Sequence, residues 1–494
     1  MQLFKSPNGG VSFGGAGNKD VNGTRTLNLG GNSTWTAGGI RISSGAAINN
    51  QGGFTFDTNF DGSMSSLGGA TAVFNNAGIF TKSAGAATTT VAANVAFNNT
   101  GTVNVQSGTL ALSGSVTQHS GTTLTGGTWN VSNGASINIT TGSNITTNQG
   151  NVTLDGVGSS FAKLTTALNN NAGSFTLKND RDLTTAGALA NAGSVNVDGA
   201  GTTLTIPGAN AFTQTAGATL LSNGGQIAAP AVTLTGGTFT VNGGTTGSVL
   251  AVTNAGAGLT FGGTVSPTIT LDSSAAVPGR LLLTNNVTVD NTLTSGTAQI
   301  LSGGSGANPG AIDLNGGTRT FSVNNGSAAV DLRVSASLQN GALTKSGAGT
   351  LALTGANTFT GGTTVSAGVL EAAGSNALGG TSGVIINTGG TLLLSGVGDR
   401  VNDAAGITLA GGTLSTGGLS ETVGTLTLSA TSVIDMGAGS SVLRFADSHL
   451  ATWVGTLRIY NWSGIQNFGG GTDQLFFGDG SGIGLEPGQL AQIK

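Results

Sequence analysis

The residues of this chain that could do chemistry are a few carboxylates and two histidines. Asp180-Arg181-Asp182, Asp399-Arg400 with Asp403, and the pair Asp57 and Asp61 are its main acidic groups. Paired carboxylates suit general acid–base work, one protonating a leaving oxygen while the other activates water or attacks. In an extended segment Asp180 and Asp182 would share a strand face. Asn179-Asp180 and Gly398-Asp399 nevertheless read as loop sequence, where a charged pair is ordinarily solvated. Asp155, Asp180 with Asp182, and Asp198 follow at intervals of 25–27 and 16–18 residues, a spacing that allows stacking without requiring it. His119 and His449 lie 330 positions apart with no nucleophile or acidic partner recognisable beside either, and read as solvated surface residues. Cysteine is absent, which excludes thiolate catalysis and thiolate metal sites.

Calcium is the remaining ionic candidate. Asp57-Thr58-Asn59-Phe60-Asp61-Gly62 matches the first half of an EF-hand loop, but position 12, where a bidentate Glu belongs, is Gly68. A turn held by side-chain-to-backbone bonds of Asp and Asn is the expected form. Gly469-Gly470-Gly471-Thr472-Asp473 is a single copy in the wrong register for a calcium nonapeptide and reads as a glycine-rich loop. The glycines form no phosphate-binding loop, since no Gly-Lys-(Ser/Thr) and no strand–helix context accompany them. No catalytic, cofactor-binding or metal-ligating residue is assigned, and no cofactor is expected.

The elements that would position such groups are strands. Of 494 residues 89 are Gly and only 7% are charged, against roughly 25% in an ordinary soluble domain. No apolar run approaches the ~18–20 residues of a membrane-spanning helix. The longest clusters, Arg280–Thr284 and Thr391–Ser395, are strand-sized. Disorder is excluded because 37% of residues are hydrophobic and recur in alternating runs such as Thr102–Val105 and Thr238–Val241. The net charge is −4 with only 16 basic residues, scattered, so nucleic acid is not an expected partner.

Self-similarity at a period near twenty residues organises the chain, and such periods mark solenoids. Asn76-Ala77-Gly78, Asn99-Thr100-Gly101, Asn171-Ala172-Gly173 and Asn191-Ala192-Gly193 each precede a strand-like run. Gly349, Gly368, Gly390 and Gly412 open Gly-(Thr/Val)-Leu strands at gaps of 19, 22 and 22 residues. Gly-Gly-Thr marks strand entries at Gly126–Thr128, Gly236–Thr238, Gly316–Thr318 and Gly411–Thr413, and corner Asn residues are expected to stack into amide ladders. The fold expected is all-β: a right-handed parallel β-helix of about 20–25 rungs, on the order of 100 Å long. It is assigned to 1–440. Phe445, Trp453, Tyr460, Trp462, Phe468, Phe476 and Phe477 crowd a chain that is otherwise poor in aromatics, and mark an aromatic-rich C-terminal cap at 441–494, with Gly455–Trp462 as one of its strands.

One stretch carries a family resemblance. Leu343–Ala372, LTKSGAGTLALTGANTFTGGTTVSAGVLEA, closely resembles the autotransporter-associated β-strand repeat of bacterial surface and secreted passenger proteins. The pattern LRIYNWSG…GGGTDQLFFG…GLEPGQLAQI resembles the terminal module found downstream of such repeats in proteins with a C-terminal sorting signal. Together they cover 316–494. The resemblance implies a non-enzymatic bacterial cell-surface or secreted passenger, an adhesin or structural stalk, with export signals outside this chain, which is expected to be a piece of a longer protein. Glycans or surface proteins are the partners expected on its Thr/Ser/Asn faces, and self-association through an uncovered N-terminal β-helix edge is a further expectation. Because parallel β-helices also include polysaccharide lyases and glycoside hydrolases, such an enzyme, using the Asp/Arg clusters, is the alternative.

Overall fold

The computed structural model describes residues 4–5, 9–253, 257–272, 276–304, 308–465, 470–478 and 484–494; most of Met1–Pro7, Phe468 and Gly469 lie outside them. The chain divides into two compact units, Met1–Ala228 and Ala229–Lys494. In the first, Thr55–Thr58, Ile79–Lys82, Thr102–Val105, Thr128–Ser132, Asn151–Asp155, Ser174–Lys178, Ser194–Asp198 and Ala218–Ser222 form one parallel ladder. A second ladder runs from Lys19–Val21 through Ile40–Ile42, Ser63–Ser65, Thr88–Val91 and Thr109–Leu112 to Ser136–Ile139. A third joins Thr26–Leu29, Ala47–Asn50, Ala72–Asn76 and Val95–Asn99. The chain visits the three in turn, so each circuit is one coil of a parallel β-solenoid.

The second unit repeats the plan. Thr350–Leu353, Gly368–Ala372, Gly390–Leu394, Thr413–Ser415, Ser432–Asp435 and Leu457–Tyr460 are successive strands of one ladder. Ala342–Ser346, Thr363–Val365, Gly383–Asn387, Gly406–Ala410 and Leu426–Ala430 are successive strands of another. The described residues make about 19 turns in the two units together. That is fewer than a twenty-residue rung would give, because some coils are longer: Ser302 bonds to Ser335, 33 residues on. The expected strand entries are met, since Thr128, Thr238, Thr318 and Thr413 each begin a strand.

Alternation sends one side chain in two to the interior, and in-register pairing stacks like on like. In the first unit this yields an aromatic column in which Phe74 and Phe97 lie 5.7 Å apart and nearly parallel, with Trp129 and Phe161 5.7 Å apart further along. Offset rings at these distances gain about 0.5–1.5 kcal/mol per pair beyond their burial. In the second unit Leu351, Leu370, Leu392, Leu414 and Ile434 stack through consecutive rungs.

Corners bury polar atoms, and amides satisfy them. Asn50 Nδ2 donates to Asn76 Oδ1 at 2.7 Å, and Asn76 to Asn99 at 2.8 Å. Asn148, Asn171, Asn191 and Gln214 continue the pattern at 2.8, 2.8 and 2.9 Å. Most of these amides also donate to a carbonyl of the next coil, as Asn171 does to Ser194 at 2.8 Å. Beside this inner ladder runs an outer one of opposite sense: Asn98 donates to Asn75, Asn75 to Asn49 and Asn49 to Asn28. The inner ladder begins at Asn50, whose buried Oδ1 has no donor, because the preceding strand places Leu29 at that register. Glycine follows the corner Asn for a steric reason. A Cβ on Gly193 would lie 2.0 Å from the Gly173 carbonyl oxygen of the previous coil.

Buried cations do the same work elsewhere. Lys82, fully buried, donates to Asp61 Oδ1 at 2.8 Å and to the Ala84 and Gly85 carbonyls. Lys345 donates to the carbonyls of Ser346, Gly347 and Ala367, and burial pushes its ammonium down to about 8.

The C-terminal stretch is built on the same rungs. Val442–Phe445 pairs with Glu421–Val423 on one side and Gln474–Phe477 on the other. Phe445 stacks on Phe477 at 5.2 Å, and Trp453 meets Phe477 at 6.0 Å, whereas Tyr460 is exposed. The strand expected at Gly455–Trp462 is Leu457–Tyr460. At the other end, the ladder edge at Val11–Phe13, expected to be uncovered, is paired antiparallel with Phe4–Lys5. Among the described residues only that ladder is closed this way at this end.

Removing one corner amide should loosen its own coil. Asn171→Ala strands the Asn191 Oδ1 and Ser194 carbonyl acceptors, an expected loss of about 2–3 kcal/mol. Hydrogen exchange should quicken in Asn170–Asn171 and Leu189–Asn191, while outward Thr176→Ala leaves both unchanged.

Candidate functional site: a carboxylate cleft

Asp399, Asp403 and Glu421 meet in the second unit, each offering a carboxylate oxygen within 4.8 Å of the others. They open on a cleft of about 470 Å3 bounded also by Gly398, Thr422 and Arg444. Arg444 sits at its rim with the guanidinium 4.1 Å above the Phe476 ring. Asp399 and Asp403 are exposed, Glu421 is buried. Glu421 begins the strand Glu421–Val423, one coil beyond Arg400, and takes Arg400 Nη1 at 3.3 Å on Oε2. Arg400, also buried, donates through Nε to Ser395 O at 2.6 Å and through Nη2 to Gly396 O at 3.1 Å. It is another corner cation, with a carboxylate added.

Burial first, then a hydrogen bond shared with Asp399, pushes the Glu421 carboxyl up to about 7, against the pull of Arg400. Below about pH 7 the trio therefore holds a protonated carboxyl beside two other acids, an arrangement that can donate a proton to a leaving oxygen, and above it Glu421 is the counter-charge of Arg400. The same oxygens suit a hard cation, which would have to displace that proton and would bind better as pH rises.

Sequence reasoning found Asp399, Arg400 and Asp403 but missed Glu421. The available signal was its position 21 residues after Arg400, one coil of the repeat. The other acidic groups do not converge. Asn179-Asp180, read as loop sequence, does turn, with φ 56° at Asn179 and 63° at Asp180, so Asp180 and Asp182 share no extended face. Asp182 Oδ1 accepts the Thr203 amide at 2.8 Å, and Arg181 Nε reaches the Ser159 carbonyl at 2.5 Å. Asp155 and Asp198 do stack in register, but Lys178 stands between them. Asp57 lies in the strand Thr55–Thr58 rather than in a turn. Asp61 is committed to Lys82 and the Ala87 amide, so the two acids share no ion loop. Asp473 likewise anchors the Ser441 and Ser463 amides.

Neither histidine is simply solvated. His449 Nδ1 lies 2.7 Å from Asp447 Oδ1, an acidic partner two residues away that was not recognised in the sequence. His119 is half-buried, with Nε2 enclosed and unpartnered. Its enclosure, then the neighbouring Lys163, holds the imidazole below its usual range.

The stretch 343–372 folds as one coil and the start of the next. Asn357 ties three coils together, its Oδ1 accepting the Leu338 amide at 2.8 Å and its Nδ2 donating to Ala377 O at 2.7 Å. Phe359 is fully buried beside it. Gly368, at φ 64°, leaves room for the Gly347 carbonyl, 2.4 Å from where a Cβ would sit. These residues match the family described as the passenger-associated-transport-repeat, over 343–372. Comparison with curated proteins and with solved structures returned no match.

Two pH dependences of opposite sign follow. Folded Glu421 keeps its proton to about 7 against 4.5 when free, so the native state binds more protons in that window and its stability falls as pH rises through it. Glu421→Gln should flatten that slope, read by hydrogen exchange at Glu421–Val423. His119 is depressed, so its contribution is present above 6.5 and lost as pH falls below it. His119→Gln should remove the acid-side quickening of exchange at Thr123–Leu124.

Proposed function

We propose that this chain is a non-enzymatic passenger-type protein of a bacterial cell surface or secretion, acting as an adhesin or structural stalk. The observation that carries the reading is the repeat at 343–372, folded as a rung of a β-solenoid like its neighbours. Its outer rows are Thr, Ser and Asn with few charges, suited to many weak hydrogen bonds with glycans or a neighbouring protein. Among the described residues no helix is long and apolar enough to cross a membrane.

A second reading, a polysaccharide lyase or hydrolase, is favoured by one feature: Glu421 held near pH 7 beside Asp399 and Asp403. Weighing against it, Glu421 and Arg400 already satisfy one another and the corner carbonyls. Incubation with bacterial, plant and host polysaccharides separates the two. Retention without new reducing or unsaturated ends is expected, unchanged by Asp180→Asn, Asp182→Asn or Glu421→Gln. Cleavage that disappears in Glu421→Gln would establish the enzyme instead.

A further inference from the structure

The outer face of the first unit's longest ladder carries a polar cleft of about 370 Å3. Asn104, Gln106, Asn130, Ser132 and Thr153 line it, with Asp155 and Lys178 along one side. Asn104, Asn130 and Thr153 are register partners on three successive strands. Ser132, Asp155 and Lys178 form a second such row. Polar groups thus recur across three successive rungs, ~4.8 Å apart.

We infer that this cleft binds an uncharged polyhydroxylated chain, the chemistry of a neutral polysaccharide, laid across successive rungs. Asn130 Nδ2 donates to Asn104 Oδ1 at 2.9 Å, leaving the Asn104 amide hydrogens and the Asn130 carbonyl oxygen for another partner. Among the described residues Gln106, Ser132 and Thr153 make no side-chain hydrogen bond. Donors and acceptors side by side match sugar hydroxyls, which both give and accept.

The charges cancel locally. Lys178 Nζ lies 3.1 Å from Asp155 Oδ2, and Asp155 Oδ1 accepts from Asn179 at 2.7 Å. Nothing remains to draw a phosphate backbone or an acidic sugar. A protein partner would want aromatic or arginine anchors, and the nearby aromatics, Trp129 and Phe175, are fully buried. A repeating ligand on a repeating face also gains by multivalency. The inference rests on the adhesin form of the proposed function and names its ligand class.

Affinity electrophoresis of the full chain tests it, in gels holding a soluble neutral glucan, mannan or galactan, with polygalacturonate as the acidic comparison. Asn130→Arg and Thr153→Arg fill the cleft from outward positions, and Gln106→Ala trims it without adding bulk. Asn138→Arg, outward on the unit's second ladder, is the control. At least one neutral polysaccharide should retard the chain, polygalacturonate should not, and the cleft variants should weaken retention about tenfold while the control does not. Equal retention by all variants would overturn the cleft and leave the adhesin reading standing. Retention by polygalacturonate alone, or by no neutral polysaccharide, would overturn the ligand class. Cleavage removed by Glu421→Gln and untouched by the cleft variants would sink both readings.

Discussion

Everything in this protein depends on keeping corner backbone groups hydrogen-bonded inside a narrow coil. Strand backbones satisfy one another along the ladders, but at several bends carbonyls turn toward buried side chains that must satisfy them. Leaving one unpaired costs roughly 1–3 kcal/mol, and there is a bend at every change of ladder. The chain answers with stacked amides at Asn50, Asn76 and Asn99, and with buried cations at Lys82, Lys345 and Arg400. The low overall charge is consistent with this: several of its few cations are structural.

The carboxylate cleft grows out of the same constraint. Arg400 enters the interior to cap Ser395 and Gly396, and a buried cation needs a counter-charge. Glu421 supplies it from the next coil, and its own enclosure beside Asp399 raises its proton affinity. A perturbed acid can therefore arise from architecture, without selection for catalysis. The polar cleft of the first unit differs in kind, since its ion pair is half-exposed and its amides are left partly unspent.

Much of the fold was legible because a solenoid writes its period into the sequence. The Asn-Ala-Gly corners, the Gly-Gly-Thr entries and the Gly-(Thr/Val)-Leu strands all fell where the ladders place them. A corner glycine such as Gly193 is dictated by a carbonyl that would lie two ångströms from any Cβ there, so it recurs visibly. The acidic groups were less legible. Asp61 and Asp182 are spent on partners 21 residues distant, and Glu421 carries no local motif. Partnership here is set between coils, and only the repeat spacing, applied residue by residue, could have revealed it. The turn at Asn179 and Asp180 was legible as loop sequence, but its left-handed backbone was not.

The two amide ladders run in opposite senses, the inner handing its hydrogen bonds forward and the outer handing them back. Each file of aligned amides is a line of dipoles, and a single file would build a polarisation that grows with every coil added. Two opposed files side by side cancel, much as neighbouring antiparallel strands do in a sheet. From Asn50 to Asn99 the paired files therefore build no axial field, whereas among the described residues the later run from Asn148 to Gln214 has no opposed file of amides beside it.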